Sequence, residues 1–139
     1  MLNRLCLVFL LCAATSVILG CGNGLATVQG VITFNGEPVN RGMINLEPTD
    51  GKGPVTGSAV EGGNFSIADV SPGEKIVRIS AVYVKKLQKE SDGSEIEICD
   101  DLLPASYGQT SNYRIDVKAP ITKQDYNIEG RDPRKGTKK

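Results

Sequence analysis

The chain has 139 residues, 16 basic and 16 acidic side chains, no His and no Trp. Without His there is no Ser-His or Cys-His nucleophile pair, no imidazole metal ligand and no side chain that titrates near neutrality unperturbed, which excludes most hydrolase and zinc chemistries. Balanced charge is uninformative about partners and nothing argues for nucleic acid, and without Trp only Tyr and Phe are left to supply a stacking platform.

The chain opens on one cation, Arg4, an apolar run from Leu5 to Leu19 and the small residue Gly20, the parts of a signal peptide in order. Thr15 and Ser16 interrupt the run and it ends in Gly20-Cys21-Gly22-Asn23-Gly24, so it falls short of the about 20 apolar residues a membrane span requires. Ile18-Leu19-Gly20-Cys21 resembles the lipobox of bacterial lipoproteins. That resemblance implies that the Cys21 thiol receives a diacylglyceryl group, that cleavage leaves Cys21 as the first residue, and that its amine is then acylated. The membrane becomes a partner through this lipid, on the extracytoplasmic side of the cell membrane or outer membrane. An ordinary secretory cut nearby, or an uncleaved anchor, is the alternative.

The expected organisation is a signal peptide over 1–20, a tether over 21–26, one β domain over 27–129 and a disordered basic tail over 130–139. Of four cysteines, Cys6 and Cys12 leave with the signal and Cys21 is consumed by lipid. Cys99 therefore remains alone, expected as a partly buried thiol, and no intramolecular disulfide can form.

From Thr27 to Phe34 apolar and polar residues alternate with the period of two of a strand with one buried face. Asn35-Gly36-Glu37-Pro38 predicts a tight reversal, because the first pair tolerates positive φ and the proline ring fixes the φ that follows. Gly42 to Leu46 is the next strand, ended by Pro48. A shorter one near Val55–Val60 leads to the turn Glu61-Gly62-Gly63, after which Phe65, Ile67 and Val70 point to the core. Ser71-Pro72-Gly73 turns the chain again, and Val77, Ile79, Ala81 and Tyr83 form the longest alternation.

After Lys85 the pattern fails for about twenty residues. Only Ile96 and Ile98 hint at a short strand, beyond the turn Ser91-Asp92-Gly93. Order returns at Leu102-Leu103-Pro104, with closing strands expected over Tyr113 to Val117 and Tyr126 to Ile128. Lys85 to Ser106 is thus a long, charged connection, the kind of segment where partner specificity resides. No segment has a useful helical period, so the class is all-β.

Gly30-Val31-Ile32-Thr33-Phe34, Asn35-Gly36-Glu37-Pro38-Val39 and Gly42-Met43-Ile44-Asn45-Leu46 resemble the opening of the carboxypeptidase regulatory-like domains. Gly63-Asn64-Phe65-Ser66-Ile67 and Pro72-Gly73, followed by Val77 and Ile79, resemble the second half of that motif. With the lipobox and Leu103-Pro104-Ala105-Ser106-Tyr107, the chain is similar in particular to small lipoproteins abundant in planctomycetes. The resemblance implies a transthyretin-like (prealbumin-like) Greek-key β-sandwich of about seven strands. One departure is Lys75, where these domains carry an aromatic residue two positions after the Pro-Gly.

The motif glycines, prolines and alternating apolar residues all have backbone or packing explanations, and none is a catalytic candidate. Glu95, Glu97, Asp100 and Asp101 could offer oxygens to Ca²⁺, but their spacing matches no loop of known geometry and a solvated acidic loop is the plainer reading. Arg131, Arg134, Lys135, Lys138 and Lys139 could touch anionic lipid or simply solubilise the tail. Asn64-Phe65-Ser66 fits a glycosylation acceptor by letter only.

Two relatives of the fold can be tested against the residues. Hydroxyisourate hydrolases of transthyretin type depend on His and a C-terminal Tyr-Arg-Gly-Ser, both missing here. Isopeptide-forming adhesin domains need a Lys in the first strand, which this chain lacks. The expected function is a noncatalytic, lipid-anchored structural or protein-interaction module of the bacterial cell envelope, with no cofactor and no metal. The alternative is weak binding of a glycan or cell-wall polymer, favoured if Tyr83, Tyr107 and Tyr113 form an exposed row. A hydrolase built on an acid pair such as Asp100 and Asp101 is the distant third.

Overall fold

The computed structural model describes residues 24–136. The signal segment 1–20, the lipid site Cys21 and residues 137–139 lie outside the described residues. The domain is all-β: strands β1 (Ala26–Phe34), β2 (Glu37–Pro38), β3 (Arg41–Pro48), β4 (Thr56–Glu61), β5 (Asn64–Val70), β6 (Gly73–Lys89), β7 (Glu95–Asp101), β8 (Arg114–Val117), β9 (Ile121–Lys123) and β10 (Tyr126–Ile128), with one 3₁₀ turn at Ala105–Tyr107.

All ten strands belong to one connected ladder, in the order β10-β1-β5-β4-β3-β6-β7. β2 pairs with β1, β8 pairs with β6, and β9 pairs with β1. Pairing is antiparallel except where β9 and β10 run parallel to β1. The ten strands exceed the expected seven or so because the charged segment after Lys85 is itself stranded and β2 and β9 add short pairings.

The turn chemistry predicted from sequence sets the registers. Asn35 and Gly36 take φ of 51° and 83°, and Phe34 pairs with Glu37 across them, so a two-residue reversal joins β1 to β2. At Gly30 the demand is steric: a Cβ there would sit 1.8 Å from the Gln124 carbonyl oxygen, where the chain between β9 and β10 presses onto β1.

One cluster of buried apolar residues forms the core. It unites Ile32 and Phe34 of β1, Ile44 and Leu46 of β3, Phe65 and Ile67 of β5, and Val77 and Ile79 of β6. These are the side chains that the alternation assigns to one face. The cluster also takes in Ala26, one residue before the expected start of the β domain at Thr27. Lys75, the departure from the family pattern, is buried with its Nζ 3.0 Å from Ser71 Oγ.

Two expectations are corrected. Lys85 to Asp101 is not an irregular loop: β6 runs on to Lys89 and β7 returns along it, with a register shift between Val84 and Lys86. Glu90, Asp92 and Ser94 close the hairpin, where Ser94 N–H and Oγ both donate to Asp92 Oδ1. Nor is the described part of the basic tail, 130–136, loose. Asp132 is buried and accepts from the Arg134 backbone N–H and guanidinium, and Arg134 also donates to Glu37 at 2.8 Å.

Candidate functional site

β6 divides the molecule. From Lys75 to Ala81 alternate residues are buried, whereas every residue from Val84 to Lys89 is exposed. Beyond the core, β6 and β7 form a two-stranded arm. Val84, Leu87 and Ile96 on it are 43%, 60% and 41% exposed. β7 ends the strand order, so its outer edge has no strand neighbour among the described residues.

Ion pairs brace the arm. Arg41 reaches from the start of β3 to Glu97 at 2.6 Å, Lys85 holds Asp100 at 2.6 Å, and Lys89 lies 3.7 Å from Glu95. All are solvent-exposed, a setting in which such pairs contribute little to stability. The Glu97 contact raises the Arg41 pKa, and the Asp100 contact raises that of Lys85.

The acidic residues considered for Ca²⁺ are separated by strand geometry. Successive side chains on β7 point to opposite faces, so Asp100 and Asp101 cannot converge, and Glu97 and Asp100 face different bases. Among the described residues no group of three or more potential ligands is assembled. Cys99 is exposed, not partly buried as expected, because β7 lies outside the core; its Sγ is 4.0 Å from the Arg41 guanidinium. Asn64 sits in β5 next to buried Phe65, its amide donating to Gly62 O.

The three tyrosines do not form a row. Tyr83 is half-buried at the foot of the arm, where it helps line a cleft of about 390 Å³ with Arg41 and Arg134. Tyr107 and Tyr113 come together instead: their rings stack with centroids 5.4 Å apart at 23°. Burial, then the contact with Tyr113, raises the pKa of the Tyr107 phenol.

The loop carrying this pair is fastened from below. Ser111 is buried and donates from Oγ to Val77 O at 2.6 Å, while its oxygen accepts from Tyr113 N–H at 3.3 Å. Val77 N–H donates to Tyr113 O at 2.8 Å. Arg78 donates to the carbonyls of Gly108 and Gln109 and pairs with Glu47 at 2.7 Å. Sequence reasoning singled out Tyr107 and Tyr113 but missed the stacking, which arises only once the 3₁₀ turn and the bond to β6 are formed.

No protein-family model matches the chain, and no curated protein matches it. Among solved structures it is similar to a 9R-lipoxygenase from Cyanothece PCC8801, at 13% identity and a TM-score of 0.33. The match covers 77% of this chain and 16% of that one, so the chain spans only a small part of that enzyme's length.

Proposed function

We propose that this protein is a noncatalytic module of the bacterial cell envelope, held to the membrane by lipid on Cys21, that recognises an envelope protein through the β6–β7 arm. In this reading the ten-stranded ladder folds on itself as a Greek-key sandwich of the carboxypeptidase regulatory-like, transthyretin-like kind. Supporting it are the non-sequential neighbours β1–β5 and β3–β6 and a single core drawn from both halves of the strand order. Ile18-Leu19-Gly20-Cys21 supports the lipid site.

The arm carries the interaction reading. It exposes Val84, Leu87 and Ile96 beside an open strand edge, and an open edge can take up an added strand. The four acids of β7 disfavour a second copy of itself, since antiparallel self-pairing about Ile98 sets Glu95 against Asp101.

Crosslinking and pull-down from envelopes, with the wild type beside a Val84→Ser, Leu87→Ser, Ile96→Ser variant, tests this. The wild type is expected to capture a partner that the variant loses while its melting temperature stays the same. Equal capture by both refutes the arm as the recognition surface. Mass spectrometry of the mature N-terminus tests the membrane half of the proposal: unmodified Cys21, or retained residues 1–20, refutes it.

A further inference from the structure

We propose that the stacked Tyr107–Tyr113 pair, with the cavities on either side of it, is a binding site for a sugar ring of a glycan. The site shares no residue with the β6–β7 arm and does not depend on that reading.

Tyr113 is 53% exposed, although it is held rigidly by its backbone and stacked on one face by Tyr107. The loop around it, from Ser106 to Asn112, is otherwise without large apolar side chains. The pair therefore presents one flat apolar plane inside a polar rim. A pyranose has the same division, with C–H bonds on its faces and hydroxyls around its edge.

Two cavities flank the plane. One, of about 260 Å³, opens between β8 and β10, bounded by Tyr107, Tyr113, Ile115, Asp125 and Asn127. The other, of about 450 Å³, is a shallow depression lined by Ser106, Thr110, Asn112, Tyr113 and Arg114. Tyr113 and Arg114 line both, so a ligand spanning them crosses the aromatic plane.

The rim has hydrogen-bonding capacity to spare. Ser106 and Asn112 engage no partner through their side chains among the described residues, and Arg114 uses Nη1 on Glu74 at 3.0 Å. Asn127 accepts from Thr33 through Oδ1, at 2.9 Å, which leaves its amide N–H groups. Tyr126, 7% exposed, lines the smaller cavity, and its buried hydroxyl has no hydrogen-bond partner among the described residues.

Charge narrows the ligand class. Arg114 stands beside Asp125 at the smaller cavity and pairs with Glu74, so the site gathers no excess of positive charge for a phosphate. A fixed aromatic plane with amides, hydroxyls and one guanidinium, but no deep apolar pocket, suits a polyhydroxylated ring.

The chain has no Trp and only four Tyr, so its ultraviolet emission comes from tyrosine, and three of the four, Tyr107, Tyr113 and Tyr126, line this site. The full chain in detergent is to be titrated with soluble neutral, amino and uronic polysaccharides while tyrosine emission is recorded. The expected result is a saturable change with at least one class. Tyr113→Ala should weaken that binding about tenfold, the loss of one stacking contact, and Asn112→Ala should weaken it severalfold with the melting temperature unchanged. Leu87→Ser, on the arm, should bind as the wild type does. No saturable change with any class, or wild-type affinity in both Tyr113→Ala and Asn112→Ala, overturns the proposal.

Discussion

The two halves of β6 share one backbone conformation and have opposite surroundings. Over its first half, Lys75, Val77, Ile79 and Ala81 are buried in alternation with the less buried Ile76, Arg78 and Ser80, and β3 pairs with the strand from Ala81 back to Lys75. Over its second half only β7 is a neighbour, and no side chain from Val84 onward is buried. A strand is therefore maintained in two ways here: by core burial in one half, and by hairpin hydrogen bonds, exposed ion pairs and a tight turn in the other. The first way is worth far more, because burial of apolar area dominates and exposed pairs contribute little.

The sharpest test of the buried half is Phe65→Ala. Phe65 is buried in the same cluster as Val77 and Ile79 and packs against Tyr126 with ring centroids 6.1 Å apart. Its truncation should cost about 3–5 kcal/mol, read as a lower melting temperature and denaturation midpoint; an unchanged midpoint would contradict the strand register.

Gly30→Ala should rank next, at about 1–3 kcal/mol. The new methyl collides with the Gln124 carbonyl and has to force the β9–β10 connection off β1. Urea titration measures the loss, and faster hydrogen exchange at Gln124, whose N–H donates to Gln29 O, locates it.

The smallest effect is expected on the arm. Leu87→Ser should change stability by no more than about 0.5 kcal/mol, despite removing a large apolar side chain. A loss resembling that of Phe65→Ala would mean that the arm folds back onto the domain in solution and that the contrast between the two halves is false.

This contrast also explains what could be read from the sequence. A buried face writes a period of two into the chain, so β1, β3, β5 and the first half of β6 were visible, and the positive-φ pair Asn35-Gly36 marked its turn. The second half of β6 has no buried face, hence Lys85, Lys86, Gln88 and Lys89 follow no pattern and the segment reads as a loop. β7 does alternate, as Glu95-Ile96-Glu97-Ile98, but on an exposed ribbon that pattern is short and has no apolar partner to confirm it. For the same reason the sequence does not show that Cys99 stands exposed. In the tail, composition suggested disorder, whereas Asp132 and Arg134 satisfy each other and engage Glu37, a pairing invisible without the fold. Tyr107 and Tyr113 were legible as residues, not as a pair.

The length of β6 fixes a standoff distance. Ala26, the first residue of β1, pairs with Val70, and only Ser71 and Pro72 separate Val70 from the first residue of β6. The strand then extends over 17 residues, which at about 3.3 Å each places its tip on the order of 50 Å away. In the proposed reading, with Cys21 as the anchor, the domain is held near the foot of its longest strand, and a partner at the tip is met far from the point of attachment. That reach is set by hydrogen-bonded strands, β3 and then β7 pairing along β6, and not by a flexible linker whose ends wander.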